Sequence, residues 1–296
     1  MTISALATSP DTDAVMQELE KYDLVQHALE LTAYGVTVVP PEKMGVDEDF
    51  VERLKTAILR TCERRNGIEI GDPETCTMRF SELNERIWYL LKEDDVFIEA
   101  ATNPSALAMA RWLLGRSAVL SGTNWIIKPR NREPLDLHSD AHGIPPGGGG
   151  IAHHANLSWL CTDYTGLEDG PTVFVPGSHL YGRATLPHEK DLRTTPFKTI
   201  SLNAKAGSMA IWNGSTWHGA MPRDELGLRV TLVQSFMRRH MRPIHDWSVE
   251  DFSPEVRDKY PELENILPPS FYPWREENEH PERGAALIHT GTNPYA

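Results

Sequence analysis

The sequence predicts a mainly β domain with flanking helices, because helical periodicity leads, short strands follow, and the two do not alternate. Apolar residues at helical spacing fill the first third of the 296-residue chain. After residue 116, β-branched and aromatic runs alternate with Gly, Pro and Asp turns. The absence of a sustained strand–helix–strand pattern argues for a sandwich or barrel of antiparallel strands.

Taken in order, residues 1–12 read as a loose tail. Residues 13–32 carry Val15, Leu19, Leu24, Ala28 and Leu31 at helical spacing. "GVTVV" at 35–39 reads as a short strand closed by Pro40 and Pro41. A second amphipathic helix is expected over 48–63, with Val51, Leu54 and Ile58 on one face. Residues 64–82 look irregular, and two further helices are expected over 83–100 and 103–115. The strand candidates are "AVLSGTNWIIKP", "NLSWLCTDYT", "TVFVPGS", "KTISLNA", "SMAIWNG" and "RVTLVQSFM". The last fifty residues, rich in Pro and aromatics, are expected to wrap the core without long regular elements. Residues 1–296 therefore read as one domain: a mainly helical N-terminal region over residues 1–115, a strand-built core over 116–243 and a C-terminal wrap over 244–296.

Composition narrows the function classes. Lys and Arg number 29 against 42 Asp and Glu, a net charge of −13, and that average field repels nucleic acid. The short basic strip "MRRHMRP" at 237–243 reads as a solvated strand end. Cys62, Cys76 and Cys161 are odd in number and lack CxxC spacing, so we expect neither a disulfide framework nor a cysteine zinc site, and a cytoplasmic setting. The opening "MTISALATSPDTDAV" has no basic n-region and no long apolar run, so no signal peptide is expected. No apolar run approaches the roughly 18 residues of a membrane span. A homodimer is left open.

The chemistry concentrates in "DLHSDAHGIPPGGGGIAHH", residues 136–154. On an extended segment His138 and Asp140 point to the same side, a two-ligand clamp. His218, which follows the strand "AGSMAIW", could complete a triad of two histidines and a carboxylate, a set that suits non-haem Fe(II) with open positions. Arg229, eleven residues after His218, opens "RVTLVQSFM" and could hold a carboxylate in a bidentate pair. His142, His153 and His154 read as loop residues, His179 as a structural group in the PGSH turn, and His240 and His245 as surface groups. Trp159, Trp212 and Trp217 read as core aromatics, with Trp217 able to line a pocket beside His218. The Gly147–Gly150 run lacks the Lys-Ser/Thr of a phosphate loop and reads as a mobile loop at the pocket mouth.

The order "HSD", then "GPTVFVPGSH", then "AGSMAIWNGSTWHGA" and a following Arg resembles the phytanoyl-CoA dioxygenase family. The resemblance is clear over residues 118–243, and the helix–"YGVTVVPP"–helix opening is similar too. It implies a double-stranded β-helix, or jelly-roll, cupin-like core. It implies an enzyme dependent on Fe(II), 2-oxoglutarate and O₂, with His138, Asp140 and His218 on the iron and Arg229 on the distal carboxylate of 2-oxoglutarate. Asn124 is the matching candidate for the amide that assists the cosubstrate, and Thr172 is a candidate for the same pocket. Some relatives carry a Ser two residues after the distal His. Ala220 stands there in this chain, so Thr231 becomes a candidate substitute hydroxyl. Related halogenases leave the Asp140 position without a carboxylate. Its presence implies hydroxylation of a C–H bond in a small or medium organic substrate, or desaturation or ring formation, with release of succinate and CO₂. Three other readings stay open: a zinc-dependent hydrolase using His138, Asp140 and His142, a cupin-type dioxygenase that needs no cosubstrate, and a non-enzymatic jelly-roll binding module, which the intact triad argues against.

Overall fold

The computed structural model describes residues 10–141 and 151–267. The first nine residues, His142, the Gly147–Gly150 run and the stretch of the C-terminal wrap beyond 267 lie outside the described residues. The helical region comprises α1 (Pro10–Lys21), α2 (Val25–Tyr34), α3 (Pro41–Met44), α4 (Glu48–Asn66), α5 (Phe80–Leu83), α6 (Asp95–Ala101) and α7 (Pro104–Leu114). The strands are β1 (Val36–Val39), β2 (Val119–Lys128), β3 (Leu135–His138), β4 (His154–Leu160), β5 (Thr172–Phe174), β6 (Ile200–Ser201), β7 (Met209–Asn213), β8 (His218–Ala220) and β9 (Arg229–Met237). Two short helices, α8 (Pro254–Lys259) and α9 (Leu263–Ile266), follow the strands.

The strands form two antiparallel sheets, ordered β1-β7-β4-β9-β2 and β3-β8-β5-β6. This is the jelly-roll core expected from the motifs. The period-2 rule assigns each residue to a face. Asn124, Arg229, Thr231, Ser235, Asn156, Ser158 and Trp212 share the inner face of the five-stranded sheet. Trp125, Leu232, Phe236, Leu157, Trp159 and Ile211 share the outer face and form the main apolar core with the helices. Phe50 of α4, for example, meets Trp159 edge-on at 5.1 Å. Burial on the helical side therefore carries most of the hydrophobic stabilisation, and the inner face is free to be polar.

Several expectations change in detail. The helix over 13–32 breaks at Tyr22–Leu24, where Asp23 takes a left-handed φ of 54°. The helix expected over 83–100 is replaced by α5, an irregular segment and α6. In that segment the N–H of Leu90 donates to Thr123 Oγ1 at 3.0 Å, and Trp88 bridges Asn124, so its polar groups serve the β2 edge rather than a helix. The basic strip is not simply solvated: Arg238 is half-buried and donates to the carbonyls of Leu113 and Leu114 at the end of α7. All three cysteines are free and buried.

The α2–β1 junction shows how the helical region docks on the core. Gly35 ends α2 at φ 79°, and its carbonyl accepts the Thr216 hydroxyl at 2.8 Å. A Cβ there would stand 2.4 Å from Thr216 Oγ1 and 2.5 Å from His179 Nδ1. Left-handed backbone and overpacking both oppose any side chain. Gly35→Ala should therefore lower stability by roughly 2–4 kcal/mol, read as a shift in the urea midpoint.

Candidate active site

β3 ends at His138 and β8 begins at His218, and the two are register partners. Their ring centroids lie 4.3 Å apart. His138 Nδ1 donates to the carbonyl of Asp136 at 2.8 Å, and His218 Nδ1 donates to that of Thr216 at 3.0 Å. A ring nitrogen facing a carbonyl must carry the proton, so each Nε2 is left as the lone-pair atom. Asp140 lies just past the end of β3, its N–H bonded to the carbonyl of Gly214 at 2.8 Å. Its Oδ1 is 3.7 Å from His138 Nε2, and its Oδ2 is 3.3 Å from His218 Nε2. The three ligand atoms lie within 4.8 Å of one another.

The donor set fits a divalent transition metal with open positions. Burial pushes the Asp140 carboxyl up, but the His218, His138 and His154 imidazoles outweigh it and hold it below the ordinary carboxylate range. Burial pulls the His218 imidazole below its usual value against the attraction of Asp140. A neutral imidazole beside an ionised carboxylate is the state that ligation requires.

The PGSH turn holds this end in place without touching the metal position. Ser178 Oγ donates to the carbonyl of Val175 at 2.7 Å and accepts the N–H of Trp217 at 2.8 Å, one residue before His218. His179 Nε2 bonds to the carbonyl of Thr32 at 3.2 Å, which makes it structural as expected. Two placements differ from expectation. Trp217 is fully buried among Tyr181, Phe197 and Arg183, a core aromatic as expected, whereas Trp212, also read as core, lies 5.3 Å from the His218 ring. His154 opens β4 rather than sitting in a loop, pressed so close to Gly214 that a Cβ there would be 2.4 Å from its Nδ1. His153 flanks it at the strand's start and meets His240 edge-on at 6.0 Å.

At the other end of the inner face lies a buried cationic cluster. Arg229 is 4% exposed, and its guanidinium stacks 4.3 Å over the Tyr164 ring. Its Nη1 bonds to the carbonyl of Gly170, while its Nε has no partner among the described residues. Lys128 is the register partner of Arg229, and its ammonium donates to the carbonyls of Gly170 and Met221. Burial, with Arg229 and Arg223 adding their charge, pulls Lys128 down to about 7. Among the described residues, Arg223 takes the one carboxylate paired in this cluster, Asp169, at 2.6 Å. Arg229 and Lys128 are thus left with carbonyl partners, an excess of buried positive charge with an unpaired donor. That combination fits a carboxylate ligand.

A model of the phytanoyl-CoA dioxygenase (PhyH) family matches residues 31–224. The chain belongs to the phytanoyl-CoA dioxygenase family. Dioxygenase af480 of Aspergillus fumigatus is 29% identical to it over 185 residues, spanning 59% of this chain and 58% of that protein. The chain therefore matches a little over half the length of that curated relative. Among solved structures, the epimerase SnoN in complex with Fe3+, alpha ketoglutarate and nogalamycin RO superposes with a TM-score of 0.57 at 20% identity, covering 82% of this chain and 91% of SnoN. HygX from Streptomyces hygroscopicus with nickel and 2-oxoglutarate bound gives 0.55 at 16% identity, covering 77% and 91%. These likenesses show the fold.

Within this phytanoyl-CoA dioxygenase family chain, the remaining expected residues fall on the same inner surface. Asn124 is buried in the row Asn124–Val233–Ser158. Thr231 is buried, and its hydroxyl is shared with Tyr164 Oη at 2.7 Å. Thr172 stands directly opposite Ala220 in the register, which puts a hydroxyl-bearing residue beside the position where some relatives carry a Ser. Sequence reasoning missed Lys128, Asn156, Ser235, Tyr164 and the Asp169–Arg223 pair. The spacing of Lys128 and Asn124 along one strand face was a readable signal. Nothing local marked Asn156.

Asn156 Nδ2 donates to Asp140 Oδ2 at 2.6 Å, and Ser235 Oγ donates to Asn156 Oδ1 at 2.7 Å. This chain orients the carboxylate toward the histidines. Asn156→Ala should weaken metal binding by about 10- to 100-fold. Anaerobic calorimetric titration with Fe(II) or Ni(II) measures it, and an unchanged affinity would remove the orienting role.

Proposed function

We propose that this chain is an Fe(II)- and 2-oxoglutarate-dependent oxygenase that oxidises a C–H bond of a small or medium organic substrate, most simply by hydroxylation. The observation that carries the reading is the division of the space between the two sheets. Three converging ligand atoms stand at one end, and buried cations in excess of carboxylate stand at the other. A metal with one dicarboxylate cosubstrate satisfies both ends at once. In support, SnoN is described with Fe3+ and alpha ketoglutarate, and HygX with 2-oxoglutarate and nickel.

When bound, iron would supply oxidative chemistry in which O₂ is the oxidant: one oxygen atom would go to 2-oxoglutarate as it loses CO₂ to become succinate, and the other would go to the substrate. The residues supply position. His138, Asp140 and His218 hold the metal through two Nε2 atoms and a carboxylate. Arg229 receives the distal carboxylate, with Lys128 as a second cation and Thr172 as the hydroxyl across from Ala220. Asn124 lies on the same strand face as Lys128, which supports a role for its amide beside the cosubstrate. Thr231 acts with Tyr164 to fix the surface under Arg229. The buried setting strengthens each charge interaction relative to water.

The zinc-hydrolase reading left His218 unused, whereas His218 is a vertex of the observed triad. The cosubstrate-free reading leaves the cationic end without a task. One set of measurements decides. With Fe(II) and 2-oxoglutarate under anaerobic conditions, the protein should develop the weak visible charge-transfer band of the chelate, and His218→Ala should lose it. No band in folded wild-type protein, or a band unchanged in His218→Ala, overturns the assignment. Arg229→Ala should raise the 2-oxoglutarate KM by about 100-fold or more, read by succinate release.

Lys128 adds a pH signature. An ammonium pulled down to about 7 is partly neutral in the free protein. A bound carboxylate favours its charged form and raises it again, so cosubstrate binding takes up a proton. Affinity for 2-oxoglutarate should therefore fall as pH rises from about 7 to about 9. Lys128→Met should bind more weakly and lose that slope. A slope unchanged in the variant would place the titrating group elsewhere.

A further inference from the structure

His245, expected at the surface, is 4% exposed, and neither of its ring nitrogens has a partner among the described residues. Its place is set by a fault in β2. The register with β9 shifts between Leu120 and Gly122, and Ser121 turns to the C-terminal segment. Its carbonyl accepts the N–H of His245 at 2.8 Å, and its Oγ accepts that of Ile244 at 3.1 Å. Such bulges re-aim side chains next to functional sites. The imidazole occupies the space above Gly122, where a Cβ would be 3.3 Å from Nε2.

Gly122 is the register partner of Ser235, and Ser235 that of Asn156, which holds Asp140. The row Asn156–Ser235–Gly122 therefore runs across the inner face from the residue that holds Asp140 to the one beneath His245. At the usual strand spacing this row spans on the order of 10 Å. His245 supplies the inward-facing side chain that Gly122 lacks.

Three aromatic rings surround the imidazole. Tyr89 stacks on it at 4.1 Å and 13°, Trp247 meets it edge-on at 4.7 Å and Trp88 edge-on at 5.7 Å. Trp88 and Tyr89 are 37% and 47% exposed. Their loop is built rather than slack. Tyr89 holds a left-handed φ of 64°, and one guanidinium, Arg65 of α4, binds the carbonyls of Arg86, Trp88 and Tyr89. A strained aromatic residue clamped over an unsatisfied buried polar group calls for a functional reason.

Resting on the oxygenase reading above, we propose that His245, Trp88, Tyr89 and Trp247 form the substrate-recognition subsite, and that it takes a neutral, planar ring system with a hydroxyl or carbonyl group. The ring system lies against Trp88 and Tyr89. Its polar group pairs with a ring nitrogen of His245. The row from Gly122, under His245, to Asn156, which holds Asp140, spans about 10 Å, the length of two or three fused rings. Neutrality follows from the surroundings. Burial alone lowers the imidazole to about 4, with no charged neighbour contributing, so a charged ligand group would find no counter-charge.

The test uses the full chain with Fe(II) and 2-oxoglutarate under anaerobic conditions, titrated calorimetrically with 2-naphthol. Two comparators isolate the recognition: 2-naphthoate, with the same rings and a charge, and decahydro-2-naphthol, with the same hydroxyl and no aromatic face. Saturable binding of 2-naphthol is expected, at least about tenfold tighter than either comparator. His245→Leu and Trp88→Ala should each weaken it by about tenfold. Absence of saturable binding, equal binding of all three probes, or wild-type affinity in a folded variant overturns the proposal. Trp88 is partly exposed, so Trp88→Ala decides the matter if His245→Leu fails to fold. The chelate band in the same samples keeps the two readings apart. A band without 2-naphthol binding defeats only the subsite. Binding to the metal-free protein without a band supports the subsite and defeats the oxygenase reading.

Discussion

Both candidate metal-binding histidines depend on the same local interaction, a hydrogen bond from Nδ1 to the carbonyl two residues earlier in the chain. It fixes the tautomer and turns each Nε2 toward one point. The carbonyls must themselves be fixed for this to work. Thr216, whose carbonyl receives His218, gives its hydroxyl to Gly35 at the end of α2 and its N–H to Asn213. Ser178 holds Trp217 between them. The helical layer thus reaches the metal position through a backbone relay, and the left-handed glycine at its start is as much a component of the site as the ligands are.

The opposite end obeys a different constraint. Burying Arg229 and Lys128 with one carboxylate nearby, already taken by Arg223, costs several kcal/mol in desolvation. Carbonyl dipoles from Gly170 and Met221 offset some of that cost. The remainder is a standing preference for an anion. Such a pocket binds by relief of its own strain, and the rigidity of β2 against β9 keeps it from collapsing around a substitute. The main apolar core lies outside the barrel, against the helices, so this electrostatic cost does not weaken the packing that holds the sheet.

Much of this was legible in the sequence. Strand runs with β-branched and aromatic residues marked seven of the strands, and HxD followed by a distant His and Arg marked the candidate ligands and the candidate anion anchor. What was not legible depends on neighbours across strands. Asn156 reads as one more polar residue in "NLSWL", and only the register against Ser235 and the fold-back of Asp140 give it a role. Lys128 looks like a strand-end lysine meeting solvent, and only the pairing with Arg229 shows it buried. That Trp212 rather than Trp217 stands beside His218 was hidden because their faces depend on where β7 ends and β8 begins.

The two largest misreadings, a helix over 83–100 and a surface His245, share one cause. β2 is the last strand of its sheet, and an uncovered edge leaves unpaired backbone groups exposed. Here the edge is covered by chain that follows no period. Trp88 bridges Asn124, Leu90 bonds to Thr123, and the segment at His245 takes the polar groups of Ser121. Periodicity detects elements that bury one face, and these segments instead close an edge and hang their rings over the inner surface. Closing the edge and shaping the mouth of the barrel are therefore the same act. A family fold can keep its metal ligands and its anion anchor on the paired strands while this aperiodic cover changes to suit a different substrate.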